Sequence, residues 1–234
     1  MRAFVISKTK AWFIRQTPML ADLPERELEL LDQVSESIDL RRRGVVWEPG
    51  DTTNTMYLLR AGIVKLSKTN DEGRELTLGF YTRDALVGEL GVVNESPHDT
   101  TCEAYEDSQL LAIPKDDFVR VMMRHPALAM RMIRLVGDRR QRLENRVESL
   151  LFKSAHSRLA ALFLDLGDTF GVRDSRGRIV NLKLTHKEIA SLIGATRETV
   201  SFAILDLRKD GLVLTEGKRV ILVDEDRLKA LRDA

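Results

Sequence analysis

The sequence predicts an α+β protein built from three consecutive parts. From about Ile38 to Pro114, short runs that alternate apolar and polar residues are separated by Gly, Asn, Asp and Pro, a pattern typical of antiparallel sheets. From Pro126 onward, a helical pattern continues through LAMRMIRLVGDRRQRLENRVESLLF for about 25 residues or more. The remaining C-terminal part combines short helices with a hairpin. We therefore expect a small β barrel or sandwich, a long helix and a separate C-terminal domain.

Composition limits the class of protein. The chain has 234 residues, of which 43% are hydrophobic and 31% charged, values typical of a folded globular protein. No run approaches the roughly 18 apolar residues of a membrane span, and charges interrupt the N-terminal MRAFVISKTKAWFIRQ, which argues against a secretory signal. The single cysteine, Cys102, excludes an internal disulfide framework and a cysteine-ligated iron–sulfur cluster. We expect a cytoplasmic protein without a membrane partner.

The long helix carries a pattern typical of dimerisation. Three of its apolar residues lie a heptad apart, as in a parallel two-helix interface. The predicted apolar seam consists of Ala129, Met132, Val136, Leu143 and Leu150. The polar segment GDRRQR, residues 137–142, interrupts it. This segment is either a solvated face or the polar middle of a dimer helix that lies beside ligand pockets.

The C-terminal part contains the strongest motif. HSRLAALFLDLGD predicts an amphipathic helix, DSRGR a loop and VNLKL a short strand. In the segment that follows, Thr185 and Glu188 form a capping box, Gly194 permits a tight turn, and Thr196 caps a second helix with Thr199 in its first turn. Two capped helices joined by such a turn predict a helix-turn-helix.

The exposed residues of the second helix fit base recognition. Arg197 can bind guanine through two hydrogen bonds, and Glu198 can accept from cytosine. After this helix, LVLTEGKRVILV predicts a hairpin with cations at its tip, which suits phosphate contacts. Between residues 178 and 219 there are eight Lys or Arg against five Asp or Glu. The residues expected to contact DNA are Thr185, Thr196, Arg197, Glu198, Thr199, Ser201, Phe202, Lys218 and Arg219.

The ATRETVS and GELG segments, with the long helix between them, resemble the Crp/Fnr family of bacterial transcription regulators. The resemblance covers about residues 20 to 225 and implies an N-terminal cyclic-nucleotide-binding β-roll, residues 1–124. It also implies a dimerisation helix, 125–153, and a winged helix-turn-helix domain, 154–234. Family members bind palindromic operators as homodimers and contact RNA polymerase, for which the loop DTFGVRDSRGR is the corresponding surface.

Two departures from the family pattern affect function. The recognition helix usually carries a second Arg four positions after the Glu, and here that position holds Phe202. An apolar ring can meet a thymine methyl, so we expect a half-site related to TGTGA but not identical to it. In the pocket, Gly88 and Glu89 match cAMP-binding relatives, but the Arg-Ser pair that clamps the phosphate is replaced by Asp99 and Thr100.

These pocket substitutions argue against cAMP. Asp99 puts a negative charge where a cation would bind the phosphate, and Leu143 and Glu144 replace the Thr and Ser that meet the adenine in relatives. The candidate pocket comprises Gly88, Glu89, Leu90, Asp99, Thr100, Arg139, Arg140, Leu143 and Glu144. The protein is therefore expected to require no cofactor, or a nucleotide other than cAMP.

Three alternatives stay open for the effector. In the first, the pocket is vestigial and DNA is bound without a ligand. In the second, another anion such as cyclic di-GMP is held by Arg139, Arg140 or Arg142, or by Lys65 and Lys68. In the third, a histidine ligates haem. A catalytic role is disfavoured because nothing marks a nucleophile near His98 and Asp99, and no metal site is expected. A winged helix that binds protein instead of DNA is the remaining alternative.

Overall fold

The computed structural model describes residues 9–52, 54–94 and 96–234, with the side chains of 92–94 left aside. The chain forms two compact units. The first runs to Arg74 and then from Leu78 to Arg139, and the second comprises Glu75–Thr77 and Arg140–Ala234. The division after Arg139 falls within the long helix.

The first unit is the predicted antiparallel β structure. Its two four-stranded sheets have the orders β1-β8-β3-β6 and β2-β7-β4-β5. The strands are β1 (Glu36–Leu40), β2 (Val45–Trp47), β3 (Thr55–Ala61), β4 (Val64–Thr69), β5 (Glu75–Tyr81), β6 (Leu86–Val87), β7 (Thr101–Ala104) and β8 (Ser108–Pro114). β5 continues from the second unit into the first.

Alternation along the strands creates two cores. Because side chains point to opposite faces, Leu58 of β3 packs in a cluster that includes helical residues, while its neighbour Leu59 packs with Trp47 of the other sheet. The helices of this unit are α1 (Lys10–Gln16), α2 (Glu25–Val34), α3 (Glu89–Asn94), α4 (Lys115–Arg124) and the first half of α5 (Pro126–Phe152). Phe13 of α1 is buried in the helical cluster. α3 begins directly after Gly88.

The helix α5 has 27 residues and, as expected, continues through Gly137. One face, with Leu128 and Met132, is buried in the core of the first unit. The prediction that Met132 belongs to the dimerisation seam is therefore wrong. Large apolar residues along another face are exposed or half-buried and are spaced alternately three and four positions apart. This face, the exposed seam, consists of the apolar Ile133, Val136, Leu143, Val147 and Leu150, with the charged Arg140 between Val136 and Leu143.

The second unit continues with α6 (Ala155–Phe170), β9 (Gly171–Asp174), β10 (Gly177–Val180), α7 (His186–Ile193), α8 (Arg197–Lys209), β11 (Val213–Glu216), β12 (Arg219–Leu222) and α9 (Glu225–Asp233). The sheet order is β11-β12-β10-β9. The strand predicted in VNLKL lies earlier: β10 ends at Val180, and DSRGR supplies the turn and strand ends of the β9–β10 hairpin. Within the described ranges, no helix is long and apolar enough to cross a bilayer.

Candidate nucleic-acid interface and ligand pocket

The helix-turn-helix is fixed by its caps. The Thr185 Oγ1 accepts from the Glu188 backbone N–H at 3.2 Å, and the Glu188 carboxylate accepts from the Thr185 N–H at 2.6 Å, so the predicted capping box is confirmed. α7 ends at Gly194, which has φ +61°, and a Cβ there would lie 2.5 Å from Leu150 Cδ2. The left-handed turn therefore favours glycine, and a larger residue would also require the end of the Leu150 side chain to shift.

The orientation of α8 follows from its buried face. The Thr196 Oγ1 accepts from the Thr199 N–H at 3.1 Å, which caps the helix as predicted. The buried residues are Val200, Ala203, Ile204 and Leu207. Their burial leaves Arg197, Glu198 and Phe202 exposed and Ser201 half-buried, with 67% of Phe202 accessible. The first turns of α8 thus present two charged groups and an aromatic ring to a partner.

A groove separates α8 from the β11–β12 hairpin. Its volume is about 710 Å³, and residues of α7, α8 and the hairpin line it. The hairpin turns at Gly217, whose φ is +59°. Besides the predicted Arg197, Lys218 and Arg219, the cations at the groove are Lys187 and Arg208. Sequence analysis did not include these two, although each lies on a helix of the motif.

The pocket segment begins at a glycine in a left-handed backbone conformation that a residue with a Cβ would rarely adopt. Gly88 has φ +87°, and a Cβ there would lie 3.1 Å from the Thr55 carbonyl oxygen. The next residue, Glu89, starts α3 and is only 5% exposed. Leu90, also a candidate, is 49% exposed. A buried carboxylate such as that of Glu89 is strongly disfavoured unless it is paired.

Arg139 supplies the partner of Glu89. Its guanidinium forms an ion pair with the Glu89 carboxylate, donates to the Leu86 carbonyl oxygen at 2.6 Å, and lies over the Tyr81 ring at 4.6 Å from the centroid. This arginine was predicted to hold an anionic ligand. In the structure its guanidinium already contacts a carboxylate, a carbonyl and an aromatic face.

The other candidate charges of the β structure are paired too. Lys68 Nζ lies 2.7 Å from an Asp99 carboxylate oxygen, and Lys65 Nζ lies 2.7 Å from Glu103. The buried Thr100 Oγ1 accepts from Trp47 Nε1 at 3.2 Å. Asp99, at the position of the phosphate-clamping arginine, therefore faces a lysine of the same unit.

His98 is half-buried and Cys102 is fully buried. His98 stacks on Trp47 with ring centroids 4.3 Å apart, and burial lowers the His98 pKa. Cys102 is fully buried, and burial raises the pKa of its thiol, so the thiolate is disfavoured. No cluster of three or more His, Cys, Asp or Glu suited to a metal occurs in the part of the chain that is described.

The remaining pocket candidates lie on the half of α5 that belongs to the second unit. Arg140 Nε is 3.5 Å from Glu144 one turn later, an exposed pair. Leu143 is 48% exposed.

Comparisons with known proteins agree with this architecture. The cyclic nucleotide-binding domain family matches residues 38–125, and the Crp-like helix-turn-helix domain family matches residues 157–231. The global nitrogen regulator of Synechocystis sp. is 30% identical over 205 residues, covering 87% of this chain and 90% of that protein. The anaerobic regulatory protein of Bacillus subtilis is 26% identical over 220 residues, covering 93% and 92%. The c-di-GMP-responsive global regulator of Xanthomonas campestris has the same fold, with a TM-score of 0.74 at 23% identity over 86% of this chain and 100% of that chain.

Replacement of Arg139 by Met is expected to destabilise the protein strongly. It leaves Glu89 buried without its cation, which costs about 3–5 kcal/mol of unfolding free energy. The double variant R139M/E89Q removes the buried charge as well and should therefore recover most of that loss. The matched control R140M removes an exposed pair and should cost less than about 1 kcal/mol. Denaturant unfolding of the full chain measures all three, and equal losses for R139M and R140M would contradict the buried-pair assignment.

Proposed function

This chain belongs to the Crp/Fnr family of transcription regulators, and from that premise we propose that it is a homodimeric, sequence-specific DNA-binding regulator that does not depend on cAMP. The main support is the open face of α8, where Arg197 and Glu198 stand exposed beside a cationic groove and hairpin. In a helix-turn-helix this is the position that enters the major groove. The family regulates transcription, and we propose no catalytic role.

The proposed DNA contacts are of two kinds, to the bases and to the backbone of the duplex. Arg197, Glu198 and Phe202 are the base-reading side chains, because they stand on the exposed first turns of α8. Thr185, Thr196, Thr199, Ser201, Lys218 and Arg219 position the backbone of the duplex. Both sets are proposals, supported by exposure and by the position of each residue at a helix start or hairpin tip.

The exposed seam of α5 supports the homodimer. Its apolar residues follow a heptad pattern, and Leu143 and Val147 are 48% and 56% exposed in the single chain. A parallel pairing of two seams would bury them and would carry two recognition helices related by a two-fold axis. Such a dimer requires a palindromic operator with half-sites about one DNA turn apart.

Independence from cAMP is supported by the charges of the first unit. A cyclic phosphate at Asp99 would meet a carboxylate, and the nearby Lys68, Lys65 and Arg139 are already paired with carboxylates. A ligand would have to break these pairs before gaining its own contacts. The alternative, a nucleotide such as cyclic di-GMP, would have to use the exposed Arg142 or the exposed Arg140, whose Nε lies 3.5 Å from Glu144.

Contact with RNA polymerase is a further part of the proposal. All four residues of β9 are exposed at an edge of the sheet, with Val172 58% accessible. An exposed edge of this kind suits protein docking.

Replacement of Val172 by Asp tests this surface. In transcription assays, V172D should lose activation or repression while keeping DNA affinity; unchanged regulation would exclude this surface.

DNA binding should be salt-sensitive, with Lys218 as one source of that sensitivity. K218A is expected to reduce the slope of log affinity against log salt by about one per protomer and to weaken all sequences similarly. K229A, an exposed lysine on α9, is the matched control and should leave the slope unchanged. Fluorescence anisotropy on promoter fragments gives both slopes; equal slopes would remove the hairpin from the interface, and the absence of salt-sensitive binding would refute the proposed function.

Phe202 should set the preference at one base pair of each half-site. F202R restores the family's second arginine and is expected to shift preference toward guanine by about 1–3 kcal/mol. Competition binding with all four bases at each half-site position measures the change. A base preference that F202R leaves intact would show that the ring does not face the bases.

A charge in the exposed seam should prevent dimerisation. V147D places a carboxylate at an apolar heptad position and is expected to give a monomer with much weaker operator binding. N145D adds the same charge on another face of α5 and should stay dimeric. Analytical ultracentrifugation distinguishes the two, and a dimeric V147D would place the interface elsewhere.

A further inference from the structure

A half-buried arginine joins three elements of the second unit. Arg146 of α5 donates from Nη1 to the Thr77 carbonyl oxygen at 2.8 Å and from Nη2 to the Ser191 carbonyl oxygen, on α7, at 3.1 Å. Thr77 is fully buried and Ser191 half-buried, and burial lowers the pKa of the Arg146 guanidinium. Because a buried charge is disfavoured without hydrogen bonds, these carbonyl oxygens hold the guanidinium and both elements together.

The side chain of Ser191 makes a second connection between α7 and β5. Its Oγ accepts from the Thr77 N–H at 2.8 Å and donates to the Glu75 carbonyl oxygen at 2.8 Å. Residues 75–77 belong to the second unit, and β5 is the outer strand of its sheet. An outer strand leaves backbone groups without a neighbouring strand, and here one hydroxyl satisfies two of them. We call the contact of Arg146, Ser191 and residues 75–77 the α5–α7 junction.

The α5–α7 junction lies beside the proposed dimer seam. Arg146 directly precedes Val147 of the seam, and a second contact follows one turn later, where a Cβ on Gly194 would lie 2.5 Å from Leu150 Cδ2. The end of α7 is therefore held against α5 at two points. The groove between α8 and the hairpin is lined by other residues of α7, so the junction leaves the proposed DNA face open.

We propose that Arg146 and Ser191 are positioning residues for operator recognition, which fasten α7 and residues 75–77 to α5 and so fix the angle between the dimer helix and the recognition helix. The proposal rests on the proposed function, a homodimer that binds two half-sites. With α5 of each protomer in the dimer interface, one fixed angle gives the two recognition helices one separation. The half-site spacing is then set before DNA binds, which lowers the ordering cost of binding the palindrome.

The test compares a palindromic operator with DNA that carries a single half-site, by fluorescence anisotropy on the full-length protein. S191A removes the hydroxyl and places a good helix former in α7. R146M removes the guanidinium and keeps an unbranched side chain. Both variants should lose roughly fivefold or more in affinity for the palindrome and keep their affinity for the single half-site. They should also discriminate less than the wild type against palindromes with a base pair added or removed between the half-sites.

Two further variants separate position from charge and from helix stability. R146K keeps the positive charge but lacks the planar fork that reaches two carbonyl oxygens, so it should lose palindrome affinity as R146M does. S149A is the matched control, because the Ser149 hydroxyl donates to the Asn145 carbonyl oxygen of its own helix, and it should behave as the wild type. Hydrogen exchange of the Thr77 amide should be faster in S191A, which removes its acceptor.

Several results would overturn the role of the α5–α7 junction. Unchanged or tighter palindrome binding by R146M and S191A would do so. Equal losses on the palindrome and the single half-site would do so as well, because they indicate only a less stable helix-turn-helix. Wild-type affinity in R146K would show an effect of charge alone. Each of these results still shows DNA binding, whereas a wild-type protein without salt-sensitive binding to the palindrome would refute the proposed function itself.

Discussion

The Glu89–Arg139 ion pair is the interaction on which the rest of the sensor unit depends. A carboxylate that is 5% exposed must be paired, and the partner here is a side chain of the long helix. The pair fixes α5 against the segment at Gly88 and also fixes which face of α5 remains outside. Because Leu128, Met132 and Arg139 face inward, Ile133 and Val136 lie on another face of this half of α5, where Ile133 is exposed and Val136 half-buried.

A second ion pair of the same unit joins two charges near the candidate pocket. Lys68 Nζ lies 2.7 Å from an Asp99 carboxylate oxygen, so the two charges neutralise each other. Charges paired within the protein give a ligand no uncompensated partner.

Short-range sequence patterns predicted the helix-turn-helix of the second unit better than the contacts of the first unit. The capping box at Thr185, the cap at Thr196 and the turn at Gly194 depend on residues within a few positions of one another, and all are present. The buried face of α8 follows from helical periodicity. The strand predicted for VNLKL was wrong. Its residues alternate as in a strand, but β10 pairs with β9 only up to Val180.

Contacts between distant residues could not be predicted. Met132 fits both a seam and a core face on a helical wheel, and only the position of the sheet decides between them. The pairing of Lys68 with Asp99 joins residues 31 positions apart, and that of His186 with Ser201 joins two helices across the turn. Periodicity carries no information about which charges meet, so the partners of the candidate pocket residues could not be predicted from the sequence.

The most direct test of cAMP independence is DNA binding by nucleotide-stripped protein. Anisotropy on fragments of its own promoter, with and without cAMP, cGMP and cyclic di-GMP, measures it. We expect tight, salt-sensitive binding without nucleotide and no change on adding cAMP. Binding that appears only with cAMP would contradict the proposal, because the pairs at Asp99 and Glu89 would then have to yield to the ligand.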